Sequence, residues 1–411
     1  MATLATESPT VSLVDPLDVT RPEIYRDDVW QEPFRELRAR GGIYRCENSA
    51  FGPYWSITTY KPLVEVESLP DIYSSQAGGI TLADIEEGDV RMPMFIAMDR
   101  PKHTGQRRTV APAFTPSEMV RMTDDIRRRT AEVLDSLPVG EGFDWVDKVS
   151  IELTTQMLAI LFDFPWEDRR KLTFWSDWAG DIEIAKDPEK KQVRLNHLWE
   201  CAAYFTNLWN SKVGKDPTPD LISMMIHSDA MAEMDQHEFL GNLILLIVGG
   251  NDTTRNSMSA YAWGLNQFPD ERAKLEANPE LIHNATQEII RWQTPLAHMR
   301  RTATQDIELD GHKIREGEKL GLWYISANRD ESVFPDADRI IVDRENARRH
   351  LAFGHGIHRC VGARLAELQI GVLMEEMAKR RLRVNVTGAP ERVPACFVHG
   401  YRKLPVELSR Y

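Results

Sequence analysis

The chain has 411 residues, 42% apolar and 9% aromatic, enough to bury a large core as one big domain or two to three smaller ones. Fifty basic residues against 63 acidic ones leave a formal net charge of −13, which argues against a general nucleic-acid binder and against a polybasic membrane-surface protein. Cys46, Cys201, Cys360 and Cys396 form no CxxC pair and fit neither a zinc ribbon nor a dense disulfide scaffold, so a reducing, cytoplasmic setting is expected, with at least one thiol free to act as ligand or nucleophile.

In chain order, the first 20 residues carry Glu7, Asp15 and Asp18 and no continuous apolar stretch, so residues 1–22 read as an irregular lead-in rather than a secretory signal. Two β-branched and aromatic runs, around 43–46 and 54–58, predict short strands. A connection rich in Gly, Met and Pro spans 74–101. Helical periodicity then recurs through 116–137, 147–163, 166–186, 189–214 and 235–268. The last begins with Asp235 at the N-cap and Glu238 at N3, a capping-box pattern, and Pro269 stops it. Such a helix is about 48 Å long, enough to cross a whole domain. Asn278-Pro279 opens a further helix that ends before Pro295, strand signals return over 299–326, and an irregular stretch, 328–362, leads to a helix over 363–379. The longest apolar run, about Leu243–Val248, is far too short to span a bilayer. Mostly helix with a small β region, and no linker, predicts one large α-rich domain over 23–411.

The irregular stretch ends in Phe353-Gly354-His355-Gly356-Ile357-His358-Arg359-Cys360-Val361-Gly362. Three glycines allow tight turns and close backbone approach to something flat or bulky. Cys360, just before a helix, has free N–H donors nearby that favour a thiolate, a metal ligand or a nucleophile. Upstream, Glu288 and Arg291 are spaced to share one helix face. In the long helix, Gly249-Gly250 costs helix stability, which points to a need for space there. The adjacent Asp252 and Thr253 place an acid beside an alcohol, a pairing suited to moving protons; the bland alternative is a local Thr back-bond with a solvated Asp.

The ten-residue string resembles the haem-binding loop of the cytochrome P450 family, FGxGxHxCxG, at every fixed position, and 249–254 resembles that family's A/G-G-x-D/E-T-T/S. The resemblance implies the P450 fold, with haem b between the long helix and the loop, Cys360 as axial ligand to the iron, and Phe353, Gly354 and Gly362 shaping the loop. It implies a proton relay at Asp252 and Thr253. It also implies a Glu288–Arg291 pair met by a second arginine, Arg344, although the Phe-Asp usual before that position reads Ile340-Ile341. His103, Arg107, Arg301 and His358 match positions that hold the haem propionates. The activity implied is monooxygenation with O2 as co-substrate. No GxGxxG follows a predicted strand, so electrons are expected from a ferredoxin and its NAD(P)H-dependent reductase. Arginines and histidines of 344–364, apart from Arg344 in the Glu288 cluster and His358 at a propionate, are expected to form the docking face together with Lys102 and Arg108.

Residues 78–82, 92–103 and 291–301 resemble the soluble bacterial alkane hydroxylase branch, which implies attack at the terminal carbon of medium-chain alkanes, fatty acids and related linear molecules. Met92, Met94, Phe95, Ile96, Leu296 and Phe397, with Gly249, are the expected pocket; Trp175 and Trp178 read equally as pocket roof or core. Alternatives are another apolar substrate, terpenoid or steroid-like; direct use of peroxide, against which the acid–alcohol pair argues; or a non-catalytic metal-binding or gas-sensing protein with His355, His358 and Cys360 as zinc ligands, which lacks a fourth ligand nearby.

Overall fold

Asp235 starts the longest helix, Gln236–Gln267: its carboxylate accepts hydrogen bonds from the backbone N–H groups of His237 and Glu238 at 2.8 and 2.9 Å. The capping box is only half built. Glu238 turns instead to the neighbouring helix Lys102–Val110, where it accepts from Lys102 at 2.7 Å and from Gln106. The computed structural model describes residues 15–85, 89–180 and 188–411.

The long helix is buried along most of its length, as its apolar run demands. Around it pack Glu152–Phe162, Arg170–Gly180, Pro188–Lys212, Ile282–Gln293 and Ala363–Lys379. The helix expected over 166–186 is seen as Arg170–Gly180, and its residues 181–186 lie outside the described residues. Residues 1–14 of the lead-in lie outside them too; Leu17 and Val19 are already buried against Ile24, Tyr25, Trp30 and Phe34.

Five short strands form the main sheet, in the order Ile43–Cys46, Tyr54–Ile57, Lys319–Leu322, Met299–Ala303 and Tyr73–Ser74. The pairing of Tyr54–Ile57 with Lys319–Leu322 is parallel, Trp55 opposite Leu320, and the others are antiparallel. The fold is mostly α with small sheets in a single domain.

On the helix Ile282–Gln293, Glu288 and Arg291 have no exposed side-chain surface and pair at 2.8 Å; Arg344 joins them, its Nε 3.0 Å from both Glu288 carboxylate oxygens. The Ile340-Ile341 departure does not disturb this, because what Glu288 takes from that segment is the backbone N–H of Ile341, at 2.9 Å, which any residue but proline supplies. Arg291 also donates to the carbonyls of Asn328, Ala337 and Arg339, so one ion pair ties the helix to the irregular stretch.

Candidate active site

A cavity of about 1020 Å³ lies between the long helix and the Cys360 loop. One end is lined by Glu67, His103, Arg107, Arg301, Tyr324, Phe353, Gly354, His358, Cys360 and Gly362. The other is lined by Met92, Met94, Phe95, Ile96, Leu296 and Phe397, with Gly249, Asp252 and Thr253 on the long helix. The sequence-predicted residues thus converge on one space. The Glu288–Arg291–Arg344 cluster stands apart from it. Trp175 is fully buried core, packed on Phe164, Tyr204 and Phe205, and neither it nor Trp178 lines the cavity.

The loop is held by its glycines. Gly354 and Gly356 have φ of 69° and 65°, and a Cβ on Gly356 would sit 2.1 Å from the Glu67 carbonyl oxygen. The Cys360 N–H donates to the Phe353 carbonyl at 2.8 Å, closing the loop on itself. Of the four cysteines Cys360 alone lines the cavity, and its thiol is accessible through it; the other three are buried. Burial of Cys46 pushes its thiol up to about 12. Cys360 is shifted up as well. Desolvation by the surrounding protein outweighs the Gly362 N–H and the Arg107 and Arg359 guanidiniums, which pull the other way. The N–H donor expected from the helix start is present at Gly362, and a bound metal ion would supply the remaining charge that favours a thiolate.

The His103 and His358 rings meet at a 58° tilt with centroids 4.3 Å apart. Both ring nitrogens of His103 and Nδ1 of His358 are buried without a partner, while His358 Nε2 meets the Ser75 hydroxyl at 3.1 Å. Burial, reinforced by the nearby Arg107, holds His103 down to about 4; burial and Arg301 hold His358 far below the usual histidine range. Buried polar atoms without partners are costly. Beside two arginines facing the same space, they form a cradle for carboxylates. Arg107 donates to the Arg359 carbonyl, which sets the 102–110 helix against the loop, and Arg301 pairs with Glu67 at 3.1 Å.

On the long helix, Thr253 Oγ1 donates to the Gly249 carbonyl at 2.9 Å, the back-bond of the bland reading, but Asp252 is buried rather than solvated. Asp252 accepts from Ser176 at 2.9 Å and Asn251 at 3.1 Å and pairs with Arg255 at 3.0 Å; Arg255 in turn meets the exposed Asp177 at 2.8 Å. Burial raises the Asp252 pKa despite Arg255. A Cβ on Gly249 would meet nothing within 4 Å, so the helix leaves open space there.

Sequence reasoning missed Glu67, Ser176, Asp177 and Arg255. Gly180 signals Ser176 and its neighbours, since a Cβ there would lie 2.8 Å from Asp252 Oδ2, but nothing in the local sequence marks Glu67. Two members of the expected basic face are otherwise engaged. His350 is buried and held down to about 3 by desolvation, and Lys102 is paired with Glu238. Arg108, Arg348, Arg349, Arg359 and Arg364 are exposed. Among the described residues no group of three or more His, Cys, Asp or Glu side chains is placed to hold a metal ion.

The cytochrome P450 family model matches residues 270–387. Linalool 8-monooxygenase of Pseudomonas putida is 35% identical over 95% of this chain and 98% of its own. The chain belongs to the cytochrome P450 family. Steroid C26-monooxygenase of Mycobacterium bovis is 30% identical over 100% of this P450 and 96% of its own length. Among solved structures, CYP153D17 from Sphingomonas sp. PAMC 26605 superposes with a TM-score of 0.93 at 77% identity, covering 97% of this chain and 100% of that one. Cytochrome P450-153 from Novosphingobium aromaticivorans gives 0.92 at 60%, covering 96% and 100%. The protein is therefore a haem-thiolate monooxygenase that uses haem b and O2, and P450s in general draw electrons from redox partners. No described helix is long and apolar enough to cross a membrane.

Proposed function

We propose that this P450 hydroxylates linear, apolar chains at or near the terminal carbon, with Cys360 as the iron's thiolate ligand. The reading rests on one observation: a single cavity joins the Cys360 loop to an adaptable apolar wall of Met92, Met94, Phe95, Ile96, Leu296 and Phe397. The resemblance of 78–82, 92–103 and 291–301 to the alkane hydroxylase branch points the same way.

The residues present fit haem. The partnerless nitrogens of His103 and His358, with Arg107 and Arg301, would take its carboxylates; the Phe353–Gly362 loop would lie against its face; and Cys360 would hold its iron. Bound through a thiolate, haem supplies the O–O cleavage that lets one oxygen atom enter a C–H bond. The protein's own work is to exclude water, hold the chain end, and supply protons. Asp252, buried so that its pKa is raised, is placed to take up and pass on a proton, and Asp177 carries its network to solvent. The Thr253 hydroxyl lines the cavity and can turn its proton from the Gly249 carbonyl toward the open space. The electrons come from a ferredoxin and its NAD(P)H-dependent reductase, in the cytoplasm.

The test is the spin-state shift of the purified holoprotein with alkanes and fatty acids of increasing length, followed by product analysis. Shifts with linear chains and end-of-chain alcohols are expected. Mid-chain alcohols, or a shift only with terpenoids or steroids, would overturn the terminal assignment. Cys360→Ala should abolish the red-shifted band of the reduced, carbon-monoxide-treated protein, whereas Cys201→Ala and Cys396→Ala should not.

A further inference from the structure

The roles just proposed leave Glu67 unexplained. It stands at the end of the helix Tyr60–Ser68 with its side chain 1% exposed, and it lines the cavity at the end where His103, Arg107, Arg301 and His358 gather. Its carboxyl group accepts from the Tyr324 hydroxyl at 2.7 Å, from the His355 backbone N–H at 2.7 Å and from Arg301 at 3.1 Å. Burial raises the Glu67 pKa, but Arg301, the Tyr324 hydroxyl and the His355 N–H all oppose that shift, and a guanidinium and a backbone N–H can only donate, the set of partners that favours a carboxylate. The His355 contact reaches the loop that carries Cys360, five residues before it.

A neutral glutamine would accept the same hydrogen bonds through its amide oxygen. What the carboxylate adds is charge. Haem would bring two carboxylates to this end of the cavity, where Arg107 and Arg301 are the facing cations and burial favours neutral forms of His103 and His358. With Glu67, three negative groups meet two positive ones. A buried, uncompensated negative charge opposes adding an electron nearby, and does so strongly where water is excluded.

We propose that Glu67 is a positioning residue that braces the Cys360 loop and holds the iron's reduction potential down through its buried negative charge. The proposal rests on the haem-thiolate assignment of the site. The test uses holoprotein of wild type, Glu67→Gln, Glu67→Met and Glu67→Asp, with the ferric/ferrous midpoint potential measured by dye-mediated spectrophotometric titration. Both neutral variants, despite their different shapes, should shift the potential to less negative values, and Glu67→Asp should stay near wild type. Either neutral variant suffices if the other loads haem poorly. A neutral variant that shows the red-shifted reduced carbon-monoxide band yet keeps the wild-type potential would overturn the proposal, as would an equal shift in Glu67→Asp. Absence of that band in wild type would instead sink the haem-thiolate assignment, so the two failures are distinguishable.

Discussion

Asp252 and Thr253 are neighbours in sequence, but they turn to different partners. The Thr253 hydroxyl bonds the Gly249 carbonyl one turn back, on the cavity wall, while Asp252 is drawn into a buried network with Ser176, Asn251 and Arg255. A back-bonded threonine adds little to helix stability, so Thr253→Ala should leave folding and haem content intact. Its loss should show in chemistry. Alcohol formed per NADH consumed in a reconstituted system should fall about tenfold or more, with peroxide released in its place. Unchanged coupling would remove Thr253 from the relay. The pairing of acid and alcohol was legible from the string Gly249–Thr254. The burial of the acid was not, because Ser176 approaches from another helix 76 residues away.

At the scale of elements, the long helix carries glycines that do opposite jobs. Gly249 faces open space, so Gly249→Ala should keep or raise stability, by up to about 1 kcal/mol, while the added methyl weakens the spin-state shift given by bulky substrates. Gly241 is pressed against the loop that lines the cavity: a Cβ there would fall 2.2 Å from the Pro93 carbonyl oxygen. Gly241→Ala should therefore cost about 1–3 kcal/mol, read from denaturant midpoints, and loosen binding of linear chains. The buried Glu288 ion-pair cluster makes a third case. With Glu288 removed, Arg291 and Arg344 are left buried without their shared acid, so Glu288→Ala should lose about 3–5 kcal/mol and yield little soluble holoprotein. Normal yield and haem content would contradict the burial seen here.

The whole molecule should weaken in mild acid. Burial holds His298 down to about 4 and His350 to about 3. Because these folded-state values lie below the unfolded 6.5, the stability linked to each histidine is intact above that pH and is lost as pH falls through it. By pH 5 each should have cost about 2 kcal/mol, so unfolding free energies measured at pH 7 and 5 should diverge, and His350→Gln should flatten the dependence. Its surface makes a second prediction. The protein is acidic overall, at −13, yet Arg108, Arg348, Arg349, Arg359 and Arg364 stay exposed around the ligand loop. Docking of an acidic ferredoxin there should weaken over a Debye length of about 8–10 Å. The first electron-transfer rate should fall as salt rises, and fall again in Arg359→Glu or Arg364→Glu; a rate indifferent to both would place the docking face elsewhere.

By itself the sequence determined what depends on neighbours along the chain. The Cys360 loop is a contiguous string whose glycines set its turns, the long helix is announced by Asp235 and ended by Pro269, and Glu288 and Arg291 sit one helical turn apart. Only the tertiary structure decided which polar groups are buried and what they meet. Glu238 leaves its capping box for Lys102, Trp175 turns into the core, His350 leaves the basic face for the interior, and Arg301 finds Glu67 across 234 residues. Periodicity and motifs record short-range geometry. Desolvation and charge pairing are set by whatever the fold packs alongside, and that partner is written far away in the chain.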